Sequence, residues 1–199
     1  MVDRAALRRE GRKARRSLTV AERTAAERRL TSHLAAVTLT QRATVGAYLS
    51  DDGEPSIDET VARLRRGGHE IALPVPESDN TMNFRLWSAD DELIAGRFGI
   101  EVPPNNRSAG AGASNRVPEV LMVPVVGFDH DGNRLGRGAG FYDRYLAHNR
   151  TLAGTKPLAI GVAFESQRVG AIPAQPYDEL LDLVVTELGI RWIRPKGTP

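Results

Sequence analysis

Seven residues, Arg134-Leu135-Gly136-Arg137-Gly138-Ala139-Gly140, bring three glycines and two arginines into one short stretch. A hydrophobic run at residues 120–126 leads towards it and reads as a buried strand, followed by a turn at His130-Asp131-Gly132-Asn133. A helix-like segment at residues 141–149 follows directly. Strand, basic glycine-rich loop and helix together suit an anion. Glycines let several backbone N–H groups face one concavity, and the helix N-terminus adds partial positive charge. Arginine adds a planar fork that matches phosphate oxygens. Asp143 falls in the first turn of that helix. It reads either as an acid placed well against the helix dipole or as a carboxylate holding a metal beside phosphates. Glu54 sits just past another strand end, where ligands of α/β sheets bind, although taken alone it reads more readily as an exposed loop acid.

Several other chemistries are excluded. The loop lacks the Gly-Lys-Ser/Thr ending of a Walker A motif, and the third glycine of a dinucleotide fingerprint would fall on Phe141. Asp129, Asp131 and Asn133 have a superficial calcium-loop look, but the twelfth position is Gly140. The four histidines show no ligand spacing, there is no cysteine, and no serine sits in a G-x-S-x-G elbow. The N-terminus is charged without an apolar core, and no apolar run is long enough to span a bilayer, so the expected location is the cytoplasm.

Charge is uneven. Residues 1–30 carry ten basic and four acidic side chains, or +6, which leaves −4 for the rest of a chain of net charge +2. This reads as either a solvated helix face or a surface for an anionic partner. Arg4, Arg8, Arg12 and Arg15 recur at helical spacing. Arg15, at the far end of that stripe, is expected to be a screened surface charge.

The elements that must position these residues follow from periodicity and caps. Asp3 caps a helix to about residue 16, and Thr19 with Glu22 forms a capping box for a second helix to about residue 37. Residues 43–49 read as a strand and 50–55 as a loop. Ser56 with Glu59 reads as another capping box, opening a helix ended by Gly67-Gly68. Strands are expected at residues 70–73, 82–87, 158–164, 182–186 and 190–193, with a short helical piece from Ser88 to Ile94. Residues 105–115 are small and polar and read as a mobile surface loop. Alternating strands and helices over 199 residues imply one α/β domain.

The run Phe128-Asp129 with Gly132 to Asp143 resembles the signature of the 5-formyltetrahydrofolate cyclo-ligases, also called methenyltetrahydrofolate synthetases. The likeness extends to Arg4-Ala5-Ala6-Leu7-Arg8, to Tyr48-Leu49-Ser50 with Glu54, and to Ile172-Pro173 with Asp178, Asp182 and Val185-Thr186-Glu187. The first basic residue is Arg4, where the family usually has lysine. The resemblance implies a three-layer α/β/α sandwich around a mainly parallel or mixed sheet. It implies conversion of 5-formyltetrahydrofolate to 5,10-methenyltetrahydrofolate with ATP and Mg²⁺ as cofactors. By position, Arg4, Arg8, Arg134, Leu135, Gly136, Arg137, Gly138, Ala139, Gly140, Phe141 and Tyr142 would hold ATP. Leu49, Glu54, Arg137, Gly138, Ala139, Gly140 and Phe141 would contact the folate, Asp143 and Asp178 would serve the metal, and Arg137 and Asp143 would be catalytic. The partners implied are these small molecules, with no nucleic acid and no membrane, acting on a monomer.

Overall fold

The computed structural model describes residues 3–37, 39, 41–104, 115–152 and 156–193. Among the described residues there are four α-helices: α1 Arg4–Arg16, α2 Val20–Ala36, α3 Asp58–Arg66 and α4 Phe141–Thr151. The larger strands are β1 Thr44–Gly46, β2 Glu70–Pro76, β3 Met82–Leu86, β7 Val120–Pro124, β10 Leu158–Val162, β11 Leu183–Thr186 and β12 Gly189–Trp192. Short pieces complete the set: β4 Ile94–Ala95, β5 Glu101–Val102, β6 Asn115–Arg116, β8 Gly127–Phe128 and β9 Arg134–Leu135.

One mixed sheet carries the fold, in the order β12-β11-β10-β7-β1-β2-β3-β6. Its five central strands run parallel, and antiparallel strands close each flank. Alternation along β7 shows why helices must cover both faces. Val120 and Met122 pack with Leu30 and Leu34 of α2 and Val61 of α3. Leu121 and Val123 pack with Tyr145 and Leu146 of α4. The architecture is therefore the expected α/β/α sandwich. The chain leaves β1 through α3 to reach β2, and leaves β7 through α4 to reach β10. These crossovers lie on opposite faces, while β1 and β7 are neighbours. Their carboxyl ends form a topological switch point, where a crevice opens.

The expected caps of α1 and α2 are present. Asp3 accepts from the amides of Ala5 and Ala6, and Thr19 and Glu22 bond reciprocally. The Ser56–Glu59 capping box does not form. Ile57 occupies the N-cap of α3 without a side-chain bond, because the Ser56 hydroxyl instead pairs with Asp58. No helix forms at residues 88–94. The Asp91 carboxylate closes a turn on the Ser88 amide, and Ile94–Ala95 pairs with Glu101–Val102 as a small hairpin. Most of the expected loop at residues 105–115 lies outside the described residues, but Asn115–Arg116 pairs with β3.

Candidate active site

The crevice at the switch point is a cavity of about 490 Å³. Tyr48, Leu49, Asp51 and Glu54 line one wall, beyond β1, and Arg134, Gly136, Arg137, Ala139 and Gly140 line the other, beyond β7. Phe141, Tyr142 and Asp143, the first turn of α4, form its floor, and Phe98, Gly99 and Ile100 of the β4–β5 hairpin stand at its edge.

The glycine-rich loop is only partly a loop. Arg134 and Leu135 pair with Gly127–Phe128 in an antiparallel hairpin, and both are buried. Leu135 is buried among Leu7, Val169 and Ile172, so its side chain faces the core rather than the cavity. The turn below it is structural. Buried Asp129 accepts the amides of Asp131, Asn133 and Ile172 and the side-chain amide of Asn133, which accounts for the calcium-like spacing. Beyond Leu135 the backbone opens. Gly138 and Gly140 adopt φ of 115° and 70°, a region that side-chain-bearing residues avoid. Gly140 is the N-cap of α4 and supplies no side-chain cap. The first amides of α4 are thus left for another acceptor.

Arg134 donates to the Glu179 carbonyl and to Asp143 Oδ1 at 2.7 Å. Burial lowers its guanidinium pKa, and the neighbouring Asp143 opposes that shift. Asp143 Oδ1 also accepts the Glu179 amide at 3.1 Å, while Oδ2 has no protein partner among the described residues. Asp143 lines the cavity.

Arg137 spans the crevice. Its Nη2 lies 3.0 Å from Glu54 Oε1 and its Nη1 2.9 Å from Asp51 Oδ2. The hydrogen bond from Arg137 holds the Asp51 carboxyl below its ordinary range. Glu54 is buried, and its other oxygen accepts the Asp51 amide at 3.2 Å. Two phenols belong to the cavity lining. Tyr48 donates to the Pro55 carbonyl, and Tyr142 has a buried hydroxyl without a partner. Burial, reinforced by Glu54, raises both well above an ordinary tyrosine, so both stay neutral at physiological pH.

Other expected site residues stand behind the cavity. Arg8 Nε donates to the Gly136 carbonyl at 3.0 Å and braces the loop from outside. Arg4 forks onto both oxygens of Asp178, at 2.5 and 3.1 Å, and reaches the Pro173 carbonyl. Asp178 also accepts the Gln175 amide. Burial would raise the Asp178 carboxyl, but the Arg4 bonds outweigh it and hold it below its ordinary range. Both Asp178 oxygens are therefore occupied by this pair, and neither Arg4 nor Asp178 lines the cavity.

Arg15 departs most from expectation. It is not a surface charge: its side chain is wholly buried, with Nε on the Asp52 carbonyl at 2.8 Å and Nη2 on the Asp52 carboxylate at 2.5 Å. The stripe on α1 turns inward because the 51–54 turn presents the carboxylates of Asp52 and Glu54 and the Asp52 carbonyl to Arg15. Arg16 pairs with the same Asp52, Arg12 approaches it at 3.8 Å, and Arg23 of α2 holds the Gly53 carbonyl. Asp52, Asp51 and the Phe98 hairpin were not legible as site residues. The one available signal for Asp52 was two acids beside a glycine facing an arginine-rich helix.

A switch-point cavity with a basic glycine loop on one wall and a buried carboxylate on the other defines an α/β enzyme of small molecules. The model of the 5-formyltetrahydrofolate cyclo-ligase family matches residues 1–187. The 5-formyltetrahydrofolate cyclo-ligase of Haemophilus influenzae is 32% identical over 189 residues, covering 90% of this chain and 95% of that one. Its counterpart in Escherichia coli K12 is 36% identical over 145 residues, covering 72% and 77%. The solved 5,10-methenyltetrahydrofolate synthetase of Aquifex aeolicus aligns with a TM-score of 0.77 at 26% identity, covering 98% of this chain and 95% of that one. That of Mycoplasma pneumoniae aligns at 0.69 and 25%, covering 94% and 99%. The chain belongs to the 5-formyltetrahydrofolate cyclo-ligase family, and it is a ligase.

Proposed function

We propose that this enzyme converts 5-formyltetrahydrofolate to 5,10-methenyltetrahydrofolate, consuming ATP and releasing ADP and phosphate. The observation that carries the reading is Arg137, which spans from the glycine loop to Glu54 across a cavity of about 490 Å³. One residue thereby joins a phosphate-type wall to a wall built to accept N–H groups. Family membership supports the same substrate.

The chemistry needs no protein nucleophile. A formamide oxygen is a poor leaving group, and phosphorylation makes it a good one. The N5-formyl oxygen attacks the γ-phosphorus and the β–γ bridging bond breaks, giving ADP. N10 then attacks the formyl carbon and gives up its proton, the C–O bond breaks, and phosphate leaves carrying the oxygen and that proton. Such a transfer asks mainly for positioning and charge neutralisation. Arg137, the open amides at the start of α4 and Arg8 behind Gly136 can supply both. Glu54 would accept N–H groups of the folate, with Leu49 and Phe141 as apolar walls. Arg134 would act by fixing Asp143 and the first turn of α4.

Among the described residues no group of three or more His, Cys, Asp or Glu could hold a metal ion. Magnesium accompanying a nucleotide typically uses one or two carboxylates and draws its remaining ligands from phosphates and water. Asp143, which lines the cavity and whose Oδ2 has no protein partner among the described residues, fits that role, whereas Asp178 is committed to Arg4. When bound, the ion would neutralise phosphate charge. Asp143→Asn should raise the Mg²⁺ concentration needed for half-maximal turnover, at a cost of about 3 kcal/mol in the transition state. Full activity at low Mg²⁺ would reduce Asp143 to a helix-terminus residue.

The reading is tested by incubating the protein with 5-formyltetrahydrofolate, Mg²⁺ and ATP and following the methenyl absorbance. Product must appear only with ATP and match ADP one for one. Absence of methenyl product from a folded, ATP-binding sample would reject it.

A further inference from the structure

Arg15 holds one donor in reserve. Its Nη1 is buried without a hydrogen-bond partner, 3.7 Å from Glu54 Oε1. That is beyond a formed hydrogen bond, and an unmet buried charged donor is costly. The same Oε1 carries Arg137, through Nη2 at 3.0 Å and Nε at 3.3 Å. The two arginines that face Glu54 differ in freedom. The Arg137 side chain is 46% exposed and rides on the glycine loop. The Arg15 side chain is 0% exposed and pinned twice to Asp52. Asp52 itself is held at φ 52°, with Arg16 and Arg12 also on its carboxylate.

A buried carboxylate that loses its close cation pays for an uncompensated charge. Under the function proposed above, on which this inference rests, Arg137 serves the phosphates and Glu54 serves the folate. Whenever Arg137 turns to phosphate, Glu54 must keep a counter-charge or lose its hold on the substrate. We propose that Arg15 is a positioning residue for Glu54. It provides the standing counter-charge, and its Nη1 makes the hydrogen bond that fixes Glu54 when Arg137 leaves. It acts through Glu54 and touches neither substrate nor nucleotide.

The test compares Arg15→Met and Arg15→Lys, each alone and combined with Glu54→Gln, by steady-state kinetics with both substrates and by thermal melting. Arg15→Met should raise the KM for 5-formyltetrahydrofolate by about ten- to a hundredfold and change the KM for ATP by less than about twofold. Arg15→Lys, which keeps the charge, should recover part of that loss and carries the comparison if the methionine variant does not fold. In the Glu54→Gln background either substitution should add less than about twofold to the folate KM, because the group it acts through is already neutral. Equal rises in both KM values, or an undiminished folate effect without the Glu54 charge, would make Arg15 merely structural and overturn the proposal. If Glu54→Gln raises the folate KM while the Arg15 variants do not, only the positioning role fails. If Glu54→Gln itself leaves the folate KM unchanged, the role given to Glu54 fails and the positioning role with it, whereas a parent enzyme that forms no methenyl product would reject the functional reading.

Discussion

The 51–54 turn and the 136–140 loop face each other across one cavity, yet they are held by opposite means. Three arginines converge on Asp52, Arg23 grips the Gly53 carbonyl, and Glu54 lies buried between Arg15 and Arg137. On the other side, Arg8 and Arg144 reach the loop by carbonyls, those of Gly136 and Ala139. A Cβ built on Gly136 or Gly138 would meet nothing within 4 Å. The turn is a finished surface, suited to a rigid ligand whose hydrogen bonds must be in place beforehand. The loop is an unfinished one, whose missing contacts a polyanion would complete. The difference teaches that half of the α1 arginines, Arg12, Arg15 and Arg16, are architecture for the 51–54 turn, while Arg8 braces the 136–140 loop.

Removing the bridge should do most damage. Arg137→Ala deletes a charge from one wall and the Glu54 partner from the other, and kcat/KM should fall by about a hundred- to a thousandfold. A loss confined to the KM of one substrate would break the picture of a shared bridge. Next, Gly138→Ala tests whether loop shape matters. With φ at 115° and free space around it, the substitution meets strain without a clash. Strain of about 1–3 kcal/mol should appear as weaker ATP binding with little change in folate affinity. Isothermal titration with each ligand reads the split, and unchanged ATP affinity would mean the loop adapts freely.

Acid should loosen the turn. The Arg137 bond depresses the Asp51 carboxyl, and bonds from Arg16 and Arg15 outweigh burial to depress that of Asp52. Groups with lowered folded-state values stabilise fully above the unfolded value, here 3.8, and lose that contribution as pH falls through the lower folded values. The melting temperature should therefore hold steady through neutral pH and drop below about pH 4, with a shallower drop in Asp52→Asn. An identical acid profile for that variant would remove Asp52 from the account. The smallest effect is expected from Gly136→Ala, which has neither positive φ nor a neighbour to displace and should stay within about 0.5 kcal/mol of the parent stability by thermal denaturation.

What the sequence made legible was local and periodic. Strand alternation, the caps at Asp3 and Thr19 and the glycine spacing located the layers and the loop, because each is settled within a few residues. Ser56 and Ser88 misled for the same reason: a neighbouring carboxylate competes for the same hydrogen bonds, and nothing local reveals which pairing wins. Arg137 was placed at the cavity by its position between glycines, whereas the position of Glu54 after β1 marked a strand end but read more readily as an exposed loop acid than as the buried carboxylate it is. Arg15 was not, because its burial depends on Asp52, 37 positions away, and a helical stripe of arginines looks the same whether it faces water or acids. Arg4 with Asp178 is a longer case of the same kind, a pair 174 positions apart.

The division of the cavity into a substrate wall and a phosphate wall is tested most directly by calorimetric titration of Glu54→Gln with each ligand separately. The substitution keeps the size of the side chain and removes its charge. The Kd for 5-formyltetrahydrofolate should rise by about ten- to a hundredfold while that for ATP stays within about twofold of the parent. Folate affinity that does not change, or ATP affinity that falls equally, would contradict the assignment of the two walls.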